Sequence, residues 1–262
     1  MTAATGRRTG WRTASRWAAP VLLGALVLAA WEAFVVQRGI KPYLLPSPSA
    51  IWEQAVLARP LVLDAMLATG RNVVVGLVLG TLLAVALALV AARSPLLDGV
   101  VSPAAAAAGV MPIVALAPAL NTMFGTTSTT PRQIIVAVVV FAPVFVTTLK
   151  GLRQVQPVHV DLLRAYAATP WQLARTVTIP GALPHLFTGI RIASSVAVIS
   201  AVVAEYFGGL QDGLGSRITS AASNSAYPRA WAFVLGAVVL GLTFYLLTLL
   251  LERSVHRGRV PS

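Results

Sequence analysis

The run DLLRAYAATPWQLARTVTIPGALP, from Asp161 to Pro184, interrupts a chain otherwise dominated by long apolar segments. It alternates charged, small and apolar residues and ends on a spaced pair of prolines, Pro180 and Pro184. The stretches on either side read as helix embedded in hydrocarbon. This run reads as a structured connection held in water, and what it grips there decides the function.

Composition supports that contrast. Of 262 residues, 57% are hydrophobic and only 11% are charged, less than half the roughly 25% charged share of a soluble domain. Apolar runs near the length that crosses about 30 Å of hydrocarbon recur along the chain. The expected fold class is therefore an all-α integral membrane protein with about six transmembrane helices, at 17–36, 72–92, 100–120, 131–149, 186–207 and 231–251. Pro103, Pro112 and Pro118 interrupt the third. Proline at membrane depth is tolerated where protein or a watery cavity satisfies the freed carbonyls, so a broken third helix serves either packing or a transport path. The first apolar run is too long for a typical secretory signal and reads as an uncleaved span, with cleavage as the alternative.

Six spans place both ends on one side. That side would carry Arg7, Arg8, Arg12, Arg16, Arg93, Lys150, Arg153, Arg164, Arg175, Arg253, Arg257 and Arg259. The other would carry Arg38, Lys41, Arg59, Arg132, Arg217 and Arg229. The excess marks the first side as cytoplasmic, with both termini there and the Asp161–Pro184 run between spans four and five. The expected organisation is a basic cytoplasmic tail at 1–16, a multi-pass transmembrane domain at 17–252 in the cell (plasma) membrane, and a second cytoplasmic tail at 253–262. Outside, 50–58 is amphipathic and suits a short interfacial helix. The glycine- and serine-rich stretch 208–228 reads as a loop.

Several functions lack their residues. The net charge of +12 is spread through loops and ends, with no basic cluster interleaved with aromatics, so it reads as topology-setting charge and not as nucleic-acid binding. No G-x-x-x-x-G-K-[ST] loop is present, and neither lysine, Lys41 or Lys150, follows a glycine-rich turn. His159, His185 and His256 lie far apart without metal-ligand spacing. Cysteine is absent, which excludes disulfides and thiolate chemistry. Ser216 and His185 fall at opposite membrane faces, which argues against a serine–histidine dyad. The chain is read as no enzyme, with no cofactor of its own.

Charges inside apolar runs are few: Glu32, Arg191 and Glu205. Each is either a pathway group or a paired, interfacial charge, since all lie within snorkelling reach of a membrane face. Gly76 and Gly80 form a small-xxx-small pair that permits close helix approach without naming a partner.

Within the opening run, 160–166 reads as a short helix with Asp161 in its first turn, suited to the positive helix end. Residues 167–170 form a small-residue turn, Pro170 suits the start of a second short helix at 171–177, and Pro180 and Pro184 lead back to span five. Leu162, Leu163, Tyr166, Leu173 and Val177 make an apolar side edged by Arg164 and Arg175. The alternatives are a loop resting on the membrane and a docking surface, and such local structure favours docking.

These residues resemble the signature E-A-A-x-x-x-G-x(9)-I-x-L-P of binding-protein-dependent ABC importer permeases. Its acid falls on Asp161, its alanines on Leu162 and Leu163, its glycine on Ala167 and its closing I-x-L-P on Val177, Thr178, Ile179 and Pro180. WQLARTVTIPGALPHLFTGIRIA, VVAEYFGG, LAPALNTMFGT, FAPVFVTTLKGL and LLPSPSAIW resemble the branch associated with nitrate, sulfonate, taurine, riboflavin and pyrimidine-precursor uptake. The resemblance implies a type I ABC importer permease fold with a coupling segment at 160–180. It also implies a second permease copy as homodimer partner, two ATP-binding cassette subunits and an extracytoplasmic solute-binding protein. Asp161 would face a basic ATPase residue, while Leu162, Leu163 and Ala167 pack into its groove beside Arg164 and Pro180. The implied function is the translocation path for a small solute, a sulfonate- or nitrate-like anion or a thiamine-precursor- or riboflavin-like heterocycle. The alternative is an ATPase-independent secondary transporter or channel, which calls for mid-membrane carboxylates that the sequence does not offer.

Overall fold

The computed structural model describes the backbone of residues 8–257 and, apart from Ile113, the side chains of residues 18–255. The tail charges Arg7, Arg8, Arg12, Arg16, Arg257 and Arg259 lie outside those side chains. All regular structure among the described residues is helical. In order the helices are α1 (Arg8–Gln37), α2 (Pro48–Leu57), α3 (Arg59–Ala91), α4 (Pro95–Gly109), α5 (Ile113–Phe124), α6 (Thr130–Arg153), α7 (Pro157–Ala165), α8 (Pro170–Leu173), α9 (Ile179–Tyr206), α10 (Leu214–Ser223) and α11 (Tyr227–Arg257).

Helix starts follow a common chemistry. Proline occupies the first turn of α2, α3, α4, α6, α7 and α8, where its missing N–H leaves no bond unmade. Ser47 and Ser94 cap α2 and α4 by accepting the N–H groups of Ala50 and Leu97. The α2 start is also tied to α1, because the Ser49 hydroxyl donates to Glu32 at 2.7 Å and its N–H donates at 3.0 Å. Trp31 of α1 meets Trp231 of α11 edge-on with ring centroids 5.7 Å apart. Glu32 is therefore a tethered charge at the α1–α2 corner.

The core forms where α6 packs between α3 and α9. Down α3 a stripe of small residues, Gly76, Gly80, Ala84 and Ala88, recurs every four positions and is buried. A Cβ on Gly76 would stand 2.4 Å from Val136 Cβ, and one on Gly80 would stand 2.5 Å from the Ala137 carbonyl oxygen. The small-xxx-small pair thus finds its partner in α6. On α9 the same role falls to Gly189, Ala193, Ala197 and Ala201, and α6 supplies the bulk through Val136, Val140, Val144 and Phe145. Small faces on the outer helices and large side chains on the central one let three backbones approach closely.

Six expected spans have counterparts, with boundaries moved by packing. The second begins at Arg59, not residue 72, because the polar stretch Asp64–Asn72 continues the helix and buries Ala65, Thr69 and Asn72. The third is two helices, α4 and α5, meeting at a bend of 100°. Of its three prolines only Pro112 breaks the chain, at φ −72° and ψ 110°. Pro103 and Pro118 sit inside α4 and α5 without ending them. Residues 208–228 are not an irregular loop, since α10 occupies their centre and buries Leu214, Gly215, Ser216 and Ala221.

Candidate functional site

The run from Asp161 to Pro184 lies in a helical elbow at one end of the bundle and in the start of α9. Gly151 fits the α6 end tightly against α9, since a Cβ there would meet His185 Cβ at 2.7 Å. Pro157 then starts α7 three residues earlier than expected, which moves Asp161 out of the first turn. The Asp161 carboxylate instead stands 3.9 Å from the Arg164 guanidinium, both solvent-exposed, a geometry of little energetic weight.

The α7 helix ends in a Schellman turn. Ala168 N–H donates to the Leu163 carbonyl at 3.0 Å and Ala167 N–H donates to the Arg164 carbonyl at 2.9 Å. Ala167, aligned with the signature glycine, sits at φ +54°. That left-handed conformation favours glycine, so the replaced residue still makes the turn its position requires. Thr169 and Gln172 then form a reciprocal capping box that starts α8 at Pro170.

Pro180 and Pro184 do not lead the chain back as a loop. Residues Pro170–Tyr206 form one continuous helical path, with a π turn at Ala174–Thr178 between α8 and α9. The Ile179 N–H reaches back to the Ala174 carbonyl. Such a widened turn absorbs a proline that would clash within a regular helix. The expected second short helix at 171–177 is the start of that path.

No residue of α7 is buried. Val158, Leu162, Tyr166 and Trp171 are largely exposed, Tyr166 at 77%. Leu163 and Pro180 are half-buried and Ala167 is exposed. Asp161, Leu162, Leu163, Arg164 and Ala167 thus fall on one short helix and its turn, with Pro180 beyond the π turn.

Glu205 and Arg191 lie outside the elbow and in different networks. Glu205 is 1% exposed at the far end of α9. Its two oxygens accept from the Thr69 hydroxyl at 3.0 Å each, and Oε2 accepts from the Gly215 N–H at 2.8 Å. Arg132 stands 3.9 Å from Glu205, donates to Asp212 at 2.8 Å and also bonds the Leu210 carbonyl. The guanidinium is 2% exposed, so Arg132, expected only as a charge on the outer side, is a buried ion-pair member. The signal missed was the glycine-rich flank: a Cβ on Gly213 would lie 2.2 Å from the Glu205 carboxylate, and one on Gly215 would lie 2.1 Å from the Val202 carbonyl. Glycines let the α9–α10 connection close over the buried pair.

Arg191 pairs instead with Glu252 of α11 at 2.6 Å. Thr188 donates to the other Glu252 oxygen at 2.6 Å, and Arg191 donates to the Tyr245 hydroxyl at 3.2 Å. This is the paired-charge alternative for Arg191. Near the elbow, Arg153 pairs with Asp98 at 2.9 Å and ties the α6 end to α4. Among the described residues no cluster of side chains is suited to a metal.

Membrane-length helices, a broken span and an exposed apolar elbow together define a polytopic membrane protein. Residues 76–257 match the family described as binding-protein-dependent transport system inner membrane component, and the chain belongs to it as an ABC importer permease. The riboflavin transport system permease protein RibX of Chloroflexus aurantiacus is 31% identical, across 91% of this chain and 88% of that protein. The formylaminopyrimidine transport permease protein ThiX of Halalkalibacterium halodurans is 32% identical over 75% and 78%. The taurine transport system permease protein TauC of Escherichia coli is 28% identical over 97% and 94%. In fold the chain is similar to the MetNI methionine ABC transporter in an inward-facing conformation, with a TM-score of 0.64 and 18% identity over 76% of this chain and 97% of that one. An amino acid ABC transporter gives a TM-score of 0.62 at 20% identity over 76% and 96%.

Proposed function

We propose that the α7–α8 elbow docks onto a separate ATP-binding subunit in the cytoplasm, and that this chain carries a small solute across the membrane when that subunit hydrolyses ATP. The observation that carries the reading is an ordered elbow that buries nothing. Its caps and its Schellman turn specify one shape, while Val158, Leu162, Tyr166 and Trp171 remain exposed beside Asp161 and Arg164. Apolar side chains held in a fixed arrangement outside the bundle suit a groove on a protein partner. In this reading Asp161 meets a basic residue of the ATPase, and Leu162, Leu163 and Ala167 enter its groove. The π turn and α9 then carry the displacement into the bundle, with Pro180 at the junction.

A second permease copy, a second ATP-binding subunit and an extracytoplasmic solute-binding protein complete the assembly, with both termini in the cytoplasm. The solute belongs to one of two classes: a riboflavin- or thiamine-precursor-like heterocycle, supported by the names of RibX and ThiX, or a sulfonate- or nitrate-like anion, supported by TauC. An ATPase-independent transporter is disfavoured because Glu205 is closed into bonds with Thr69 and Gly215.

Co-purification in mild detergent with the cognate ATP-binding subunit tests docking. Wild-type chain is expected to retain the ATPase, and Asp161→Arg to lower its recovery and ATP-driven solute uptake at least tenfold without changing the amount of folded chain. Uptake by this chain alone, independent of ATP, contradicts the reading.

A further inference from the structure

The bend between α4 and α5 lies halfway through the bundle, and contacts along α6 fix its depth. At the elbow end Asp98 of α4 pairs with Arg153, the last residue of α6, at 2.9 Å. From there α4 runs along α6 until a Cβ on Gly109 would stand 3.2 Å from the Ala142 Cβ, midway along α6. There α4 ends, and Pro112 turns the chain through 100° into α5. Beyond the bend, Ala117 and Leu120 pack with Ile135 near the far end of α6, and Asn121 donates to the Phe207 carbonyl at 3.3 Å. The two half-helices therefore meet at mid-membrane.

The junction is uncovered. Gly109, Val110, Met111, Pro112 and Val114 are all exposed, Val110 at 82% and Val114 at 55%. A helix C-terminus and a helix N-terminus meet there, and each leaves carbonyls or N–H groups that its own helix does not bond. Hydrocarbon cannot satisfy them. Irregular backbone at membrane depth is tolerated only where it is buried in protein or lines a water-filled cavity. A second copy of this chain is a poor partner for such groups. At the middle of the apolar runs 17–36, 72–92, 186–207 and 231–251 it presents Leu26, Leu82, Val196 and Leu242, which carry no donor or acceptor. The exposed Thr243 hydroxyl beside the last already bonds the Val239 carbonyl at 2.8 Å. Water is the partner that remains.

We infer that the 109–114 bend lines a water-filled solute path at mid-membrane, with Val110, Met111 and Val114 on its wall. This rests on the reading of the chain as a solute-carrying subunit and adds which residues the solute passes. No charged residue occurs between Asp98 and Arg132. The wall thus offers a passing solute backbone groups and apolar side chains, and holds none in an ion pair.

The chain has no cysteine, so an introduced thiol is the only one it carries. The test is the rate at which a charged methanethiosulfonate reagent labels Val110→Cys, Met111→Cys and Val114→Cys in the assembled transporter, read by the mass of this chain. Nanodiscs leave both membrane faces open, so only lipid or protein shields a thiol. All three should react at least tenfold faster than Leu26→Cys and Leu242→Cys, because the reactive thiolate is disfavoured in apolar surroundings. A bound non-hydrolysable ATP analogue should change those three rates at least fivefold and leave the Leu26→Cys rate alone, since a path opens and closes with the ATPase. Rates equal to the two controls overturn the inference. So does labelling that is slow in the assembly and fast in the detergent-separated chain, because a second copy then covers the bend. Fast labelling indifferent to nucleotide overturns it too, as the water then lies off the path. Recovery of the ATP-binding subunit is measured before labelling, and the nucleotide-free rates do not depend on it, so failure of the docking proposal is told apart from failure here.

Discussion

Ala167 carries the sharpest local constraint in the elbow. A non-glycine residue in the left-handed region brings its Cβ close to the following carbonyl, at a cost of roughly 1–2 kcal/mol, yet the Schellman bonds from Ala167 and Ala168 hold it at φ +54°. Ala167→Gly should remove that strain and raise stability by about 1 kcal/mol, read as a higher melting temperature in detergent. A lower melting temperature would show that the turn does not depend on this conformation. From sequence the residue could be aligned with a glycine, but the alignment alone counted it as a departure. The backbone shows why a small residue persists there: position and conformation survive even though the chemically easiest residue does not.

At the scale of elements, the buried charges tie α3, α6, α9 and α10 together at the far end of the bundle. Thr69, Arg132, Glu205 and the Gly213–Gly215 backbone come from four separate segments. Removing one member leaves the rest desolvated without their partner. Arg132→Met should cost about 3–5 kcal/mol, the range for breaking a buried ion pair from one side. The double variant Arg132→Met with Glu205→Met should recover part of that loss, measured by denaturant unfolding in mixed micelles. If the single substitution proves neutral, the pair is not structural. Glu205 was visible in the sequence as a charge in an apolar run, but Arg132 was not, because it is the second residue of its expected span at 131–149 and looks like a flanking charge. The break at Pro112 was equally hard to assign. Three prolines have the same local chemistry, and packing decides which two are accommodated.

For the whole molecule, the arrangement rests on close backbone approach around α6. Glycines and alanines on α3 and α9 face valines and phenylalanines on α6, so added bulk has nowhere to go. Gly80→Val should displace α3 from α6, because its Cβ would stand 2.5 Å from the Ala137 carbonyl oxygen. Overpacking of this kind costs about 1–3 kcal/mol and can exceed that against backbone. The expected outcome is a lower melting temperature and less monodisperse protein on size exclusion. Unchanged behaviour would mean that the two helices can separate freely. The spacing of Gly76 and Gly80 announced close contact, but its partner emerged only when α6 was seen lying against it.

Composition and periodicity by themselves determined an all-helical membrane chain and the approximate place of its spans. Those features follow from local physics: apolar length matches the bilayer, and prolines and caps mark helix starts wherever they occur. Tertiary structure alone decided which charges are buried, which proline bends the chain, and that the helical path after the elbow widens into a π turn just before Pro180. Each of these depends on which distant residues meet, and a linear pattern carries spacing along the chain but not the identity of the neighbour across it.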